Sequence, residues 1–582
     1  MSSSLHILIA ILVDASDICS KFALIISLIV VYLVNICILN AILSRWRLLM
    51  NERPVVWPMR IFYPFLAIFP LLLAAYFTAT YVFGYWRARP YLPVLIAGWG
   101  ALACLCIYAF RRVSGTVSRG QEWLLLGVLA LLAFTVRMYA VLLIQTQPAA
   151  DFWLAHQNAV SLAQTGVPSD PHVYSMATAW GFYAITLSGL YSLFEPSVFT
   201  TQAFNCVLDT ATVVLLYFGT KLCLKSRIIA FFAASFYAFF PSIIIYIGVL
   251  TPEFIAIPLM TGSILLLEYL QRSRRSGSKW FWVWAVSIGL VWGVANAYRP
   301  FGVVFLVAFA GAEFLFFILP AIRDRIREKK LISTNAPPPS RILLRSLITM
   351  FCVFVMYQLV SLGAIALVEQ KMGIETYPSG TGYALYLGLG LDENLQQSRD
   401  PAKSFLSTYS GDPDDFHKEC YEKIFTSLRE HWDVYPEILL RKFQITWGQY
   451  SRFPEVSFLN WALRSGYIST ASELEHPLYT YIVQICSLMG QYYLLVCLLA
   501  AAGCIYLMRR PTGYSVFTHS LFLFGFALIV LIGEPQCRYK CVIFPILCLL
   551  AALGLYALYQ GIWRLWEYIR HLYASIRART AH

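Results

Sequence analysis

Four polar segments lie at the ends of apolar stretches, and their residue types could act on a phosphorylated substrate. Asp151 directly follows a long apolar run, and Glu253 lies in a short connection between two others. Arg299 lies in another short connection, and Arg538 belongs to the polar segment 534–540. Ionisable groups at membrane depth are costly and usually have a partner or a function. These four residues are therefore the first candidates for a site.

Carboxylates and guanidinium groups together suit the transfer of a group from a phosphate. A carboxylate can deprotonate an acceptor hydroxyl, and arginine pairs with phosphate oxygens through two parallel hydrogen bonds. We expect catalytic roles for Asp151, as the base, and for Glu253, which would orient the acceptor or a cation. We expect Arg299 and Arg538 to bind the leaving phosphate. In a purely structural interpretation, the carboxylates serve helix N-termini and the arginines bind lipid headgroups.

The composition identifies the class of protein. Of 582 residues, 59% are hydrophobic, 16% are aromatic and only 13% are charged, and the mean hydropathy is +0.65. These values exclude a set of soluble domains and indicate a polytopic membrane protein. The net charge of +13 comes from Lys and Arg clusters between apolar runs, as in cytoplasmic anchors, and this distribution argues against nucleic-acid binding.

Apolar runs of about 20 residues, long enough to cross about 30 Å of hydrocarbon, predict an all-α protein with about 13 transmembrane helices. The predicted spans are 22–44, 61–84, 91–111, 121–146, 203–222, 229–248, 253–271, 281–297, 301–320, 343–367, 479–507, 515–533 and 540–560.

The charge pattern predicts the orientation. Every second connection is basic, which places the N-terminus outside and the C-terminus inside. Between Met138 and Thr220 the chain has neither lysine nor arginine, so the connection 147–202 is predicted to be exported. Within it, the apolar segment 180–194 is too short for a crossing and is predicted to be a juxtamembrane helix. On this topology all four candidate segments lie at the outer face.

A second exported region, 368–478, has an ordinary soluble composition. It holds 16 acidic and 10 basic residues, a net charge of about 6 negative from 16 minus 10. We predict that it forms a small α or α/β lobe with a helix over 414–430. The predicted organisation is three N-terminal helices in 1–120, a catalytic membrane module in 121–367, this lobe, and three C-terminal helices with a basic tail in 479–582.

Further candidates for substrate binding lie in the exported segments. They are Tyr539 and Lys540 beside Arg538, His172 in the first exported loop and Lys371 at the start of the lobe. Two lone histidines in that loop make a poor metal site, so no metal ligand is predicted. No cofactor is predicted either, although a divalent cation is kept as an alternative.

The order and sidedness of these features resemble the GT-C superfamily of membrane glycosyltransferases, in particular the protein mannosyltransferase and aminoarabinose transferase family (glycosyltransferase family 39). The resemblance implies a seven-helix module over about 121–367, with Asp151 at the acidic position after its first helix. Thr251-Pro252-Glu253 is similar to the acidic second exported loop, and Arg538-Tyr539 with Pro545 is similar to an Arg-Tyr-x-x-Pro pattern. Family members often carry paired acidic residues where this chain has Asp151 followed by Phe152.

The residues and the resemblance together predict a function. We expect a glycosyltransferase that moves a sugar from a polyprenyl-phosphate donor to a glycan, lipid or protein acceptor on the extracytoplasmic side. The expected location is the bilayer of a bacterial inner membrane, with the active site facing outward. The alternatives are a polysaccharide polymerase or ligase that uses a diphosphate-linked oligosaccharide, and a flippase or transporter of lipid-linked sugars.

Overall fold

The structure is a computed structural model, and it describes most of the chain. The described residues are 56–78, 118–175, 177–328, 339–376, 382–412, 415–447, 456–463, 482–510 and 513–580.

The described residues are almost entirely helical, and their α-helices are numbered here in chain order. They are α1 Val56–Thr78, α2 Arg119–Ile144, α3 Asp151–Thr165, α4 Thr178–Leu193, α5 Val198–Leu224, α6 Arg227–Ala238, α7 Pro241–Tyr246, α8 Glu253–Ser276, α9 Trp280–Tyr298, α10 Gly302–Glu313, α11 Leu319–Glu328, α12 Pro339–Met372, α13 Gly382–Leu389, α14 Asp400–Thr408, α15 Phe416–Glu430, α16 Tyr435–Trp447, α17 Val456–Leu463, α18 Ile482–Arg509, α19 Tyr514–Ile532 and α20 Phe544–Thr580. A π-helical turn, Phe314–Ile318, joins α10 to α11, and a 3-10 turn, Cys537–Ile543, precedes α20.

The chain is an all-α polytopic membrane protein. Among the described residues, nine helical segments are long and apolar enough to cross a membrane. They correspond to the predicted spans from 121–146 onward, except for 229–248. Helix α1 overlaps the predicted span 61–84 over residues 61–78, and the predicted spans 22–44 and 91–111 lie outside the described residues.

The predicted single helix over 229–248 is wrong. The structure has two helices there, α6 and α7, and the first has only 12 residues. The break falls at Phe240, whose backbone is extended (φ −73°, ψ 107°) directly before Pro241. Proline disfavours the helical conformation in the residue that precedes it and removes a backbone donor. Hydropathy alone did not register this break, because both sides of it are apolar.

A buried arginine stabilises the broken end of α6. Arg137 on α2 is fully buried, and its Nε donates to Asp209 on α5 at 2.5 Å. Its Nη1 donates to the carbonyl of Ala238 at 2.8 Å, and its Nη2 donates to that of Tyr237 at 3.4 Å. The hydroxyl of Tyr237 donates to the other Asp209 oxygen at 2.5 Å. The carbonyls at the end of a helix need donors, and here one side chain joins three helices by supplying them.

Arg137→Met should therefore destabilise the protein strongly. Removing one partner of a buried ion pair leaves an uncompensated charge and costs about 3–5 kcal/mol, measurable as a lower unfolding midpoint in detergent. The exposed Arg119 is the matched control, and Arg119→Met should be neutral. The double variant Arg137→Met with Asp209→Leu should recover part of the loss; a midpoint equal to that of Arg137→Met alone would contradict the role of the pair.

The predicted first exported loop contains the two helices α3 and α4, which pack against each other. The side chain of Asn158 attaches the intervening turn to α3. Its Nδ2 donates to the carbonyl of Asp170 and to the Tyr174 hydroxyl, both at 3.0 Å, and its Oδ1 accepts from the Asp170 amide at 2.9 Å. Helix α4 coincides with the predicted juxtamembrane segment 180–194. It packs on α9 and α12, which fixes the loop to the membrane helices.

The lobe consists of short helices, α13 to α17, and the described part of it contains no strand, only an isolated bridge between Leu391 and Gln397. The helical alternative of the prediction therefore holds for the described residues. Helix α15 matches the predicted helix over 414–430. A hydrophobic cluster, which includes Leu389, Ile424 and Ile438, joins α13, α15 and α16.

The lobe contacts the membrane helices where Gly388 meets the end of α19. A Cβ on Gly388 would lie 2.4 Å from the carbonyl carbon of Gly533, so only glycine permits this approach. Lys442 on α16, 1% exposed, closes the joint. Its Nζ donates to the carbonyl of Gly388 at 2.7 Å and to that of Ile532 at 2.9 Å.

Lys442 should make stability depend on pH. Burial lowers its pKa from 10.5 to about 7, and the carboxylate of Glu534, the charged group acting on it, opposes this shift. Between these two pKa values the unfolded chain binds more protons than the folded one, so the free energy of unfolding rises with pH. The slope is at most about 1.4 kcal/mol per pH unit.

Unfolding midpoints measured from pH 7 to pH 10 would check this expectation. Lys442→Met should flatten the rise, whereas Lys418→Met should not, because that side chain is 71% exposed. An unchanged slope in Lys442→Met would contradict the assignment.

Candidate functional site

A buried ion pair joins two helix ends at the predicted outer face. Glu253 is the first residue of α8, and Arg299 follows the last residue of α9. The Glu253 carboxylate is fully buried and pairs with the Arg299 guanidinium, which is 6% exposed. It also accepts from the hydroxyl of Thr251. Pro252 immediately precedes α8, so the tight turn that starts the helix also places the carboxylate at its N-terminus, where negative charge is favoured.

Arg538 lies in an aromatic cage beside this pair. It belongs to the 3-10 turn before α20 and is 5% exposed. Its guanidinium carbon lies 5.1 Å from the ring centroid of Phe152 and 5.3 Å from that of Trp461. Its Nε donates to Gln536 Oε1 at 2.6 Å. Cation–π contacts of this kind strengthen when they are desolvated, and they offset part of the cost of burying the charge.

The two arginines lie on the same two rings. The centroid of Trp180 is 5.8 Å from the Arg299 guanidinium carbon and 6.0 Å from that of Arg538. The centroid of Tyr539 is 5.2 Å from the first and 5.6 Å from the second. Two cations therefore share one aromatic surface and one partner carboxylate, Glu253. The cluster has an excess of one positive charge.

Several polar atoms of this cluster lack a hydrogen-bond partner among the described residues. They are Arg299 Nε, Arg538 Nη1 and the hydroxyls of Tyr183 and Tyr246, all shielded from solvent. Both tyrosines lie within the electrostatic field of Glu253. Buried donors without acceptors are costly, and most native proteins avoid them. An anionic ligand with several acceptor oxygens would satisfy both the spare charge and the orphaned donors.

Asp151 lies next to the cage and has an exposed side chain. It begins α3. The next residue, Phe152, is 2% exposed, and its ring packs against those of Trp180 and Trp461. The N-cap residue of α3 is Ala150, and no side chain caps this helix end. Asp151 therefore does not serve as the N-cap. Its side chain is exposed, and it adjoins the cage through the next residue in the chain, Phe152.

An elongated groove leads from the membrane helices to this cluster. Its volume is about 1090 Å³, and Arg299 and Trp180 are among its lining residues. Within the membrane span its walls are apolar side chains of α10 and α12, including Val303, Val307 and Phe354. All three are exposed, as expected for a groove that faces lipid.

The wide outer end of the groove lies between the lobe and the first loop. The lobe contributes Tyr383, His417 and Tyr421, and the opposite wall contributes Ser175 and Thr178. Lipid-soluble and water-soluble parts of one ligand could therefore occupy a single continuous cavity. Aromatic and hydroxyl side chains of this type suit a polar organic group better than a hydrocarbon chain.

The structure brings four of the predicted site residues together: Glu253, Arg299, Arg538 and Tyr539. Lys540 is buried, but its ammonium lies over different rings, 4.4 Å from the centroid of Tyr493 and 5.7 Å from that of Phe458. His172 and Lys371 are exposed, and no described contact connects either of them to the arginines. Their substrate-binding roles stay predictions.

The described residues include no group of three potential metal ligands. His156 in α3 is engaged elsewhere: its Nδ1 lies 2.8 Å from the hydroxyl of Tyr191. Burial lowers the pKa of His156 and so favours its neutral form.

Sequence reasoning missed the aromatic part of the site. Phe152, Trp180 and Trp461 carry the cation–π contacts, yet they come from three distant segments. In a chain with 16% aromatic residues, no single aromatic residue stands out. The adjacency of Phe152 to Asp151 was the one available signal.

Comparison with known proteins gives little further information. No family model and no curated protein matches the chain. Solved structures that resemble it include the archaeal oligosaccharyltransferase AglB from Archaeoglobus fulgidus, in complex with an inhibitory peptide and a dolichol-phosphate (11% identity, TM-score 0.41), and an Archaeoglobus fulgidus oligosaccharyltransferase in the apo form (12%, 0.43). The matches cover 78% and 79% of this chain, which spans about half the length of those structures, 54% in each case. A likeness this weak says nothing about the reaction.

The cluster should bind a lipid phosphate. Arg299→Met and Arg538→Met should each weaken the binding of decaprenyl phosphate by about 10- to 100-fold, because a hydrogen bond to a charged group contributes about 1.5–3 kcal/mol. The exposed lobe residue Lys403 is the control, and Lys403→Met should leave binding unchanged. Equal affinities for all four proteins in a detergent titration would exclude the phosphate site.

Proposed function

We propose that this chain is a membrane glycosyltransferase that transfers a sugar from a polyprenyl-phosphate donor to an acceptor on the extracytoplasmic side. One observation carries the proposal: an apolar groove between α10 and α12 ends at Arg299, beside a second buried arginine. A polyprenyl chain fits the apolar part, and its phosphate would meet the two guanidinium groups.

The arginines would act on the leaving group. As the bond between the anomeric carbon and the phosphate oxygen breaks, negative charge grows on that oxygen, and preorganised cations beside it lower the barrier. Arg299 and Arg538 are suitable because both are buried and their ring contacts hold them in position. The phosphate would also accept hydrogen bonds from the orphaned Nε of Arg299 and Nη1 of Arg538.

Glu253 and Asp151 differ in exposure, and this difference supports two different roles. Glu253 is fully buried and paired with Arg299, which suits it to orienting that cation and makes it unsuitable as a base. Asp151 is exposed at the edge of the cage, where it could take the proton of an acceptor hydroxyl. That hydroxyl oxygen would then attack the anomeric carbon from the face opposite the phosphate, with inversion.

The outer end of the groove would hold the sugar. Tyr383, His417 and Tyr421 face this space from the lobe, and such side chains can stack on a sugar ring or hydrogen-bond to its hydroxyls. In this arrangement the lobe contributes to donor binding, and the acceptor approaches from the side of Asp151.

Asp151→Asn should abolish transfer. Loss of a general base typically lowers a rate by about 10²- to 10⁴-fold, while the isosteric amide preserves the fold and the binding of donor. The assay is sugar transfer from a polyprenyl-phosphate donor by purified protein, with expression level and donor affinity measured in parallel. Asp170, exposed in the same loop, provides the control Asp170→Asn, which should stay active.

A fully active Asp151→Asn would disprove the assigned base. Activity with diphosphate-linked donors but not with monophosphate-linked ones would instead favour the polymerase or ligase alternative.

A further inference from the structure

The short segment between α19 and the 3-10 turn is held by a single carboxylate. Glu534 Oε1 accepts from Arg399 Nη1 at 2.6 Å and from Gln536 Nε2 at 2.7 Å. Its Oε2 accepts from the hydroxyl of Tyr539 at 3.0 Å. Its side chain is 17% exposed. Glu534 therefore connects the lobe, the segment itself and one of the rings that holds both arginines.

The side-chain amide of Gln536 contacts both Glu534 and Arg538 and so links the two. A glutamine amide has a donor side and an acceptor side, and fixing one fixes the other. Because Nε2 donates to Glu534, Oε1 is directed the other way, where it accepts from Arg538 Nε at 2.6 Å. Without Glu534, the amide would have no anion to select this orientation. The planar guanidinium of Arg538 would then lose the hydrogen bond from its Nε to Gln536.

The lobe holds the other end of this connection. Arg399 directly precedes α14, and the joint made by Gly388 and Lys442 keeps the lobe against the end of α19. The Arg399 side chain is 50% exposed, and an exposed ion pair by itself contributes little to stability. The ion pair would matter because Glu534 also contacts Gln536 and Tyr539, which both contact Arg538.

We propose that Glu534 is a positioning residue through which the exported lobe orients the guanidinium of Arg538. The proposal rests on the function proposed above, in which Arg538 binds the donor phosphate. Bidentate recognition of phosphate requires a fixed orientation of the guanidinium plane. Movement of the lobe away from α19 would therefore reduce phosphate affinity even though no lobe residue contacts the phosphate.

A double-mutant cycle tests this inference. The variants are Glu534→Ala, Arg538→Met and the two combined, and the two readouts are the Kd for decaprenyl phosphate and the unfolding midpoint. If Glu534 acts through Arg538, Glu534→Ala should weaken binding by about 10-fold in the wild-type background and by less than about 2-fold in the Arg538→Met background, because coupled residues are not additive. The same factor in both backgrounds would overturn the proposal.

A second pair of variants tests the contribution of the lobe without touching the segment. Arg399→Ala should weaken decaprenyl phosphate binding, and Arg399→Lys should restore most of it. Arg429, exposed on the same lobe, gives the control Arg429→Ala, which should bind like wild type. Wild-type affinity in Arg399→Ala would remove the lobe from the proposal.

The design separates this inference from the proposed function. Coupled binding without any sugar transfer would reject the glycosyltransferase while supporting the positioning role. If the wild-type protein bound no decaprenyl phosphate, the proposed function would fail. The double-mutant cycle measured on unfolding midpoints would then test the coupling between Glu534 and Arg538: non-additive shifts would support it, and additive shifts would overturn it.

Discussion

Two guanidinium groups held out of water beside one carboxylate constrain this structure most strongly. Burying a charge is costly unless it is paired and hydrogen-bonded, and Glu253 can neutralise only one of the two cations. The rings of Trp180 and Tyr539 stabilise both. To build this environment, the N-terminus of α8, the C-terminus of α9 and the 3-10 turn must meet next to α3 and α4. The remaining positive charge is the basis of the proposed affinity for an anionic ligand.

A third buried arginine, Arg137, shows what a purely structural charge looks like in the same protein. Arg137 pairs with Asp209 and donates to backbone carbonyls at the end of α6, and none of its nitrogens is orphaned. Arg299 and Arg538 each retain an unpaired nitrogen. Both centres bury cations among helices, but only one leaves donors unsatisfied.

The groove and the lobe both adjoin the arginine cluster. The groove runs along apolar side chains of the membrane helices to Arg299, and the lobe lines part of it with Tyr383, His417 and Tyr421. The same lobe reaches Arg538 through Glu534 and Gln536. The lobe therefore lines part of the cavity and is connected to the arginine that lies beside it, Arg538. In the proposed reaction, donor binding and the position of the lobe are coupled for this reason.

The sequence by itself determined the class of protein, most of the described helices and the candidate polar residues. This was possible because hydropathy and charge are local properties, and each segment partitions into the bilayer according to its own composition. The sequence did not determine the break between α6 and α7, the aromatic cage around Arg538, or the turning of Lys540 toward Tyr493 and Phe458. Those features depend on contacts between residues far apart in the chain. Aromatic residues make up 16% of the chain, and only packing decides which of them contact a cation. Packing also decides which side of a short turn each basic side chain faces.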